Sequence, residues 1–334
     1  MERIPVYWQI AAGDAGRDYS GEFLRYGLGF LGGEGQTKLL REVMPGDRMV
    51  LKRGKGWIVA AGIVVQRDGR HIGENDKEWL RDFDGWDLPA YCYVQWHVPP
   101  QPIPAPDGFA IATISRVKIA EIRTIADEII ARDPAHPLEL EPLIGSPIED
   151  EDLIEALIVR GLAIGAAEGL NDALRRIRRL ANYYYHNEEW RDIREHETRT
   201  FLVVPLLLAL GWPEQCIKIE LHVTGGRIDL ALHDKPYFQK DSKCQVIIET
   251  KGFSDGLHYA SGQARDYAVH FPDCHTILVS NGFCYKAYKR GPEGFNVDQP
   301  DAYLNLRDPR DRYPLYPFAG GALQVLYMLL RGGQ

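Results

Sequence analysis

The first hundred residues alternate short apolar runs with glycine and aspartate turns. The runs "VYWQIAA", "RMVLKRG", "GWIVAAGIVV" and "YCYVQWHV" are rich in Val, Ile, Tyr and Trp, and turn signals such as "PGD" and "RDG" separate them. β-Branched and aromatic residues between such turns are typical of strands. The pattern predicts a small β-barrel or a curled sheet.

A proline-rich break, "PPQPIPAPDG" at residues 99–108, follows these strands, and an amphipathic segment comes after it. From residue 149 to about residue 210, apolar residues recur at three- and four-residue intervals, which predicts helices. We therefore predict a first domain over residues 1–130, a helical linker or dimerisation segment over residues 131–188, and a second domain over residues 189–334.

The last part of the chain returns to strand-like patterns. The runs "IKIELHV", "GRIDLALHD" and "QVIIETKG" precede the helical "GLHYASGQARDYAVHF", and the strand-like "HTILVSNG" and "CYKAYKR" follow it. Strands followed by a helix and another strand indicate an α/β core with an antiparallel front. The predicted fold class is α+β with an α/β second domain, and "GALQVLYMLL" predicts a final helix packed on the core.

Composition places the chain among globular proteins. It has 334 residues, of which 45% are apolar, enough to bury cores in two domains. No apolar run approaches the roughly 18 to 20 residues that span a bilayer, and the start lacks a basic region followed by a long apolar core, so we expect a cytoplasmic protein without a secretion signal. The five cysteines are odd in number and form no C-x-x-C, which favours buried thiols over disulfides or a thiolate zinc site.

The formal charge of −8, taken alone, argues against a nucleic-acid partner. Basic residues nevertheless concentrate at residues 38–57 and 174–180, while acidic residues concentrate at 148–155. Local patches rather than the total charge decide phosphate binding. Each basic run is equally compatible with a solvated surface.

The stretch "VIIETKG" ends a buried strand in opposite charges. Asp229 occupies a strand position in "GRIDLAL", and this strand and "VIIETK" are predicted to form a hairpin that brings Asp229 and Glu249 together. Glu249 and Lys251 share one face because side chains alternate along a strand. Two carboxylates suit Mg²⁺, for which Mn²⁺ can substitute, and a lysine can position the attacking water, which is the chemistry of phosphodiester hydrolysis. The alternative is a salt-bridged strand end.

With its flanking segments, this arrangement resembles the PD-(D/E)xK nucleases. Residues 190–290 are similar to the N-terminal nuclease domain of type I restriction enzyme R subunits and to related stand-alone nucleases, through "ETRTFLVVPLLLALGW", "GRIDLAL", "VIIETKG", "QARDYA" and "ILVSNG". The resemblance implies a restriction-endonuclease-like core. The catalytic residues it implies are the metal ligands Asp229 and Glu249, the catalytic lysine Lys251, and an accessory acid, Glu197.

Gln263 and Tyr267 match the Q-x-x-x-Y element of that family, and the resemblance implies a catalytic role for Gln263 and, less directly, for Tyr267. Their i, i+4 spacing places both on one helix face; the alternative is an ordinary surface pair. The chain departs from the R subunits because it has no G-x-x-x-x-G-K-[ST] phosphate loop, so we expect no dependence on ATP.

The N-terminal segment, through "PGDRMVL" followed by "GIVV", resembles the EVE and PUA-like barrels, relatives of the YTH domains. Domains of that group take a modified base out of the stack into an aromatic cage. The residues we predict for the cage, each with core packing as its alternative, are Trp8, Trp57, Trp86, Tyr26 and Phe30. Those predicted to contact phosphates are Lys38, Arg41, Lys52, Arg53 and Lys55.

Together these resemblances imply a prokaryotic, modification-dependent restriction endonuclease that cuts double-stranded DNA carrying modified bases, with a modified cytosine as the first candidate. Cutting both strands requires two active sites, so we expect a homodimer. The alternatives are an RNA or structure-specific nuclease and a catalytically inactive nucleic-acid-binding protein.

Overall fold

The computed structural model describes residues 3–13, 17–106, 108–187 and 192–332. The chain divides into two compact units, Met1–Pro142 and Leu143–Gln334. Both mix helices and strands, so the predicted α+β class is confirmed. The division falls after the predicted end of the first domain at residue 130, because helix α3 (Ala120–Arg132) packs its apolar residues into the core of the first unit.

The first unit contains an eight-stranded sheet in the order β2-β6-β4-β3-β1-β8, with β5 beside β6 and β7 beside β4. β1 and β3 are parallel, and the remaining pairs are antiparallel. The strands are β1 (Tyr7–Ala11), β2 (Leu28–Leu31), β3 (Arg48–Arg53), β4 (Trp57–Val64), β5 (Ile72–Glu74), β6 (Ala90–His97), β7 (Ile103–Pro104) and β8 (Ile114–Arg116). The helices besides α3 are α1 (Ser20–Tyr26) and α2 (Glu34–Leu40).

The second unit contains a seven-stranded sheet in the order β14-β13-β12-β11-β10-β9, with β15 beside β13. Its strands are β9 (Ile217–Val223), β10 (Gly226–His233), β11 (Cys244–Thr250), β12 (Thr276–Ser280), β13 (Cys284–Gly291), β14 (Gly294–Phe295) and β15 (Ala302–Asn305). Its helices are α4 (Asp150–Val159), α5 (Ile164–Tyr185), α6 (Glu195–Thr198), α7 (Val204–Ala209), α8 (Ala260–Ala268) and α9 (Ala322–Leu329).

The order of elements in the second unit follows the sequence prediction. Strands β9, β10 and β11 form an antiparallel front, and α8 connects β11 to the parallel strand β12. β11 pairs with β10 and β12 along its two edges, and residues on both of its faces are buried, in keeping with its continuous apolar run. The predicted hairpin of β10 and β11 and the predicted final helix, α9, are both confirmed.

Helices α4 and α5 belong to the second unit and do not form a separate linker. In α5, the apolar residues at three- and four-residue spacing, among them Leu170, Leu174 and Ile177, join the same core as the sheet. Two of its arginines, Arg175 and Arg178, pair with Asp150 of α4. Part of the basic run at residues 174–180 therefore forms ion pairs within the unit.

The five cysteines are buried free thiols, as the sequence predicted. Within the described ranges, no helix is both long and apolar enough to cross a membrane.

Candidate functional site

The hairpin of β10 and β11 brings the first two predicted acids together. Leu230 pairs with Ile248 across the hairpin, and the same register continued by one residue places Asp229 opposite Glu249. Residues directly opposite in an antiparallel pair have Cβ atoms about 5 Å apart. Both carboxylates are buried, with Asp229 7% and Glu249 3% exposed.

Asp229 is fixed by hydrogen bonds on one side. Its Oδ2 accepts bonds from the backbone N–H of Thr250, at 2.7 Å, and from the Thr250 hydroxyl, at 2.9 Å. Its Oδ1 faces a guanidinium nitrogen of Arg199 at 3.4 Å. The two short hydrogen bonds from Thr250 fix the orientation of the Asp229 carboxylate, whereas Oδ1 has only the longer contact with Arg199.

Glu249 combines burial with an unused oxygen. Its Oε1 accepts a hydrogen bond from Nζ of Lys251 at 2.7 Å, whereas Oε2 has no hydrogen-bond partner among the described residues. Burial, reinforced by the nearby charge of Asp229, raises the pKa of Glu249 to about 7, against the opposing effect of Lys251. A buried carboxylate oxygen without a donor is energetically costly and is a position that a bound cation would satisfy.

The helical acid that reaches this cluster is Glu195, which corrects the prediction of Glu197. Glu195 lies 3.4 Å from Arg199, and burial together with the charge of Asp229 raises its pKa. Glu197 instead accepts a hydrogen bond from the backbone N–H of Arg194 at 3.1 Å, a helix-capping contact. Two residues along a helix rotate a side chain by about 200°, so the two acids face opposite sides.

The predicted pair on α8 is joined by a hydrogen bond. Nε2 of Gln263 donates to the Tyr267 hydroxyl at 3.2 Å, which confirms that the two side chains share a helix face. The Tyr267 hydroxyl lies close to Gly226, the first residue of β10, three residues before Asp229. A Cβ atom on Gly226 would lie 2.3 Å from this hydroxyl. A role for Gln263 and Tyr267 in catalysis stays a prediction.

The donor atoms of the cluster fit a hard divalent cation. Across the described residues, no group of three or more His, Cys, Asp or Glu side chains is arranged to hold a metal ion. Mg²⁺, however, is commonly bound by one or two carboxylates plus waters and substrate phosphate. Oδ1 of Asp229 and the unpartnered Oε2 of Glu249 supply such a pair.

In the first unit, most of the aromatic residues predicted for a cage are core residues. Trp8, Tyr26 and Phe30 are at most 5% exposed, and the Trp8 indole N–H donates to the buried carboxylate of Asp47 at 3.0 Å. These three rings pack inside the unit, which corrects their assignment to a base pocket.

The other two predicted cage residues are more accessible. Trp86 is half-buried, the Arg17 guanidinium covers its ring at 3.7 Å, and its indole nitrogen has no acceptor within the described part of the chain. Trp57 is 45% exposed at the start of β4, opposite Arg53 in β3 and beside Pro104 in β7. Trp57 is the most exposed of the five.

The predicted phosphate contacts also divide by burial. Lys52 is 2% exposed, and its ammonium donates a hydrogen bond to the Ala110 carbonyl. The prediction that it contacts phosphate at the surface is therefore wrong. Burial lowers the pKa of Lys52 to about 8. Lys38 and Arg41 are exposed but form ion pairs, each at 2.7 Å, with acids of the same unit. Arg53 lies 4.0 Å from Asp18, a loose pair, and Lys55 is exposed in the turn between β3 and β4.

Comparison with protein-family models, with curated protein sequences and with solved structures gave no match for this chain.

Proposed function

We propose that this protein is a Mg²⁺-dependent, ATP-independent endonuclease that hydrolyses phosphodiester bonds in DNA carrying a modified base. The observation that carries the proposal is Oε2 of Glu249, a buried oxygen without a partner, beside Asp229 and Lys251 at the end of a central strand. A structural salt bridge between Glu249 and Lys251 would use one carboxylate oxygen and would not account for a second acid opposite it.

Each residue of the cluster has a chemical role in this proposal. Asp229 and Glu249 would hold Mg²⁺, or Mn²⁺ in its place, through Oδ1 and Oε2. Bound there, Mg²⁺ would supply Lewis-acid stabilisation of negative charge on the phosphoryl oxygens. Thr250 fixes the plane of the Asp229 carboxylate through two hydrogen bonds.

Lys251 is the member of the cluster that faces the substrate. Its side chain is 25% exposed, and its ammonium already donates to Oε1 of Glu249, which fixes its position. From there the ammonium can orient an attacking water and offset charge that develops at phosphorus. In the absence of the cation, Glu249 retains a proton up to about pH 7, so cation and proton compete for this carboxylate.

For the first unit, we propose DNA contact through the turn between β3 and β4. Arg53 and Trp57 are exposed and pair with each other across β3 and β4, and Lys55 is exposed in the turn that joins the two strands. An exposed tryptophan beside basic side chains can stack on a nucleobase while those side chains contact the DNA phosphates. Selection of a modified base, with a modified cytosine as the first candidate, is assigned to this unit.

Two further parts of the proposal concern assembly and setting. Cleavage of both DNA strands needs two copies of the site, so the active form is proposed to be a homodimer. The setting is the cytoplasm of a prokaryote, where such an enzyme would restrict foreign modified DNA.

The experiment uses the purified full chain with Mg²⁺ and without ATP. The substrates are DNAs that contain plain cytosine, 5-methylcytosine, 5-hydroxymethylcytosine, glucosylated 5-hydroxymethylcytosine or N6-methyladenine, and the products are separated on a gel. The proposal predicts cleavage of at least one modified DNA and not of plain DNA, and loss of cleavage in EDTA. Degradation of a structured RNA with every DNA intact would favour an RNA nuclease, and an absence of any cleavage would favour a binding protein.

A further inference from the structure

A buried arginine joins the acids of the candidate site to one another. The Arg199 side chain is 6% exposed, and its guanidinium lies 3.4 Å from Oδ1 of Asp229, 3.4 Å from Glu195 and 3.6 Å from Glu220. It also lies 3.1 Å from Nδ1 of His196. A buried guanidinium needs anionic or carbonyl partners, and here three acids on separate elements share one cation.

Strand β9 is locally distorted where it supplies one of these acids. Glu220 has φ of 53°, a left-handed conformation that is strained for a residue other than glycine. It lies opposite Asp229, because β9 pairs with β10 on either side of this position, Leu221 with Ile228 and Ile219 with Leu230. The distortion accompanies contacts of the Glu220 carboxylate with Arg199 and, at 3.1 Å, with Arg227.

The helix that supplies Arg199 is irregular at the same place. Residues Arg199–Val203 form a π-helical turn between α6 and α7. A π-turn inserts extra backbone into a helix, so it changes the direction of the side chains that precede it relative to those that follow. The side chain of Arg199 therefore links two backbone irregularities: the π-turn that carries it and the left-handed position of Glu220 in β9.

The contacts of Arg199 differ from those of a structural arginine in the same unit. Arg290 binds three backbone carbonyls, those of Cys274, Ala268 and Phe271, at 2.5 to 3.0 Å. Arg199 approaches its carboxylates at 3.4 to 3.6 Å. These longer contacts leave Oδ1 of Asp229 able to accept a cation while the guanidinium still limits its movement.

We infer that Arg199, held by Glu220, is a positioning residue that sets Asp229 and Glu195 for cation binding and offsets part of the negative charge of the cluster. This inference rests on the proposed function. Lysine cannot replace Arg199 in the role, because a compact ammonium keeps the charge but cannot span three acids as the planar guanidinium does. Substitution of residues that orient metal ligands typically lowers metal affinity or activity about 10- to 100-fold.

The test compares Arg199→Lys with Arg290→Lys in the full chain. Both substitutions exchange a bridging guanidinium for an ammonium, and only the first lies at the acid cluster. Binding of Mn²⁺, followed by its electron paramagnetic resonance signal, gives a readout independent of cleavage. Cleavage with Mg²⁺ then gives kcat and KM for the DNA substrate.

For Arg199→Lys, we expect the Mn²⁺ Kd to rise or kcat to fall by about 10- to 100-fold, with KM for DNA unchanged, because the effect acts through the metal ligands. Arg290→Lys should leave Kd and kcat unchanged. Glu220→Gln, which keeps the shape but removes the charge that holds Arg199, should change Kd or kcat in the same direction by a smaller factor.

Three outcomes would overturn the inference. If the wild type binds Mn²⁺ and Arg199→Lys matches it in both Kd and kcat, Arg199 does not position the ligands although the proposed function stands. If Arg290→Lys shows the same loss as Arg199→Lys, the loss reflects general destabilisation. If the wild type neither binds Mn²⁺ nor cleaves DNA, the proposed function fails and the inference fails with it.

Discussion

The buried carboxylate of Glu249 should make a contribution to the stability of the metal-free protein that becomes smaller as the pH rises. Its folded-state pKa is raised from 4.5 to about 7, so between these values the folded protein binds more protons than the unfolded chain. The contribution of Glu249 to the free energy of unfolding therefore decreases as pH rises from about 4.5 to about 7 and is constant above that range. At about 1.4 kcal/mol per pKa unit, the loss amounts to about 3 kcal/mol.

Glu249→Gln removes the charge while it retains the size of the side chain. The variant should equal the wild type in stability near about pH 4.5 and exceed it by up to about 3 kcal/mol at about pH 8. Asp266→Asn, which removes an exposed carboxylate of α8 that pairs with Arg265, is the matched control and should produce no such trend.

The assay must report on the second unit alone, because the two units can unfold separately. Amide hydrogen exchange of β11 and β12, followed by mass spectrometry in metal-free buffer at several pH values, gives the free energy of opening of the central strands. A difference between Glu249→Gln and the wild type that stays constant, within about 0.5 kcal/mol, from about pH 5 to about pH 8 would refute the reasoning.

Two other substitutions test the surroundings of the site and the first unit. Trp57→Ala should lower DNA affinity by about 1 to 3 kcal/mol per stacked base without loss of stability, since its ring is exposed; filter binding measures the affinity, and equal affinity of variant and wild type would contradict the contact. Gly226→Ala should destabilise the second unit by about 1 kcal/mol, because its methyl group would displace the Tyr267 hydroxyl. In a double-mutant cycle with Tyr267→Phe, most of this cost should disappear; a fully additive cycle would contradict the contact.

The strand residues of the site could be predicted because strand periodicity is simple. Side chains alternate with period two, so "RIDLAL" and "VIIETK" identify which residues are buried and which end the strand. The hairpin then follows from the polar segment between the two runs. Asp229, Glu249 and Lys251 were identified on this basis, and the structure brings the three side chains together.

The helical side of the site could not be predicted in the same way. "EHET" offers two acids two positions apart, and the phase of a short helix that begins at Glu195 is needed to choose between them. A Glu195–Arg199 spacing of four residues is typical of an ordinary ion pair on a helix surface. The π-turn at Arg199 and the left-handed Glu220 have no local sequence signal, so tertiary contacts decide their conformations.

In the first unit, the prediction of a phosphate contact from the basic run is wrong for Lys52. Strand β3 lies between β1 and β4, and the register with β4 shifts between Leu51 and Lys52. The irregularity accompanies a lysine that lies in the interior, where the Ala110 carbonyl accepts a hydrogen bond from its ammonium. In β3, four consecutive residues including Lys52 are buried, so a basic residue of the run at residues 38–57 does not contribute to the surface charge.

The most direct test of the central claim is DNA cleavage by the wild type and by Lys251→Ala, with Mg²⁺ and with EDTA, on a DNA that the wild type binds. The account predicts cleavage only for the wild type with Mg²⁺, with the same DNA affinity for both proteins, because Lys251 acts on the reacting phosphate and lies in the second unit. Cleavage by Lys251→Ala at the wild-type rate, or cleavage by the wild type in EDTA, would contradict the assignment of Asp229, Glu249 and Lys251 as a metal-dependent nuclease site.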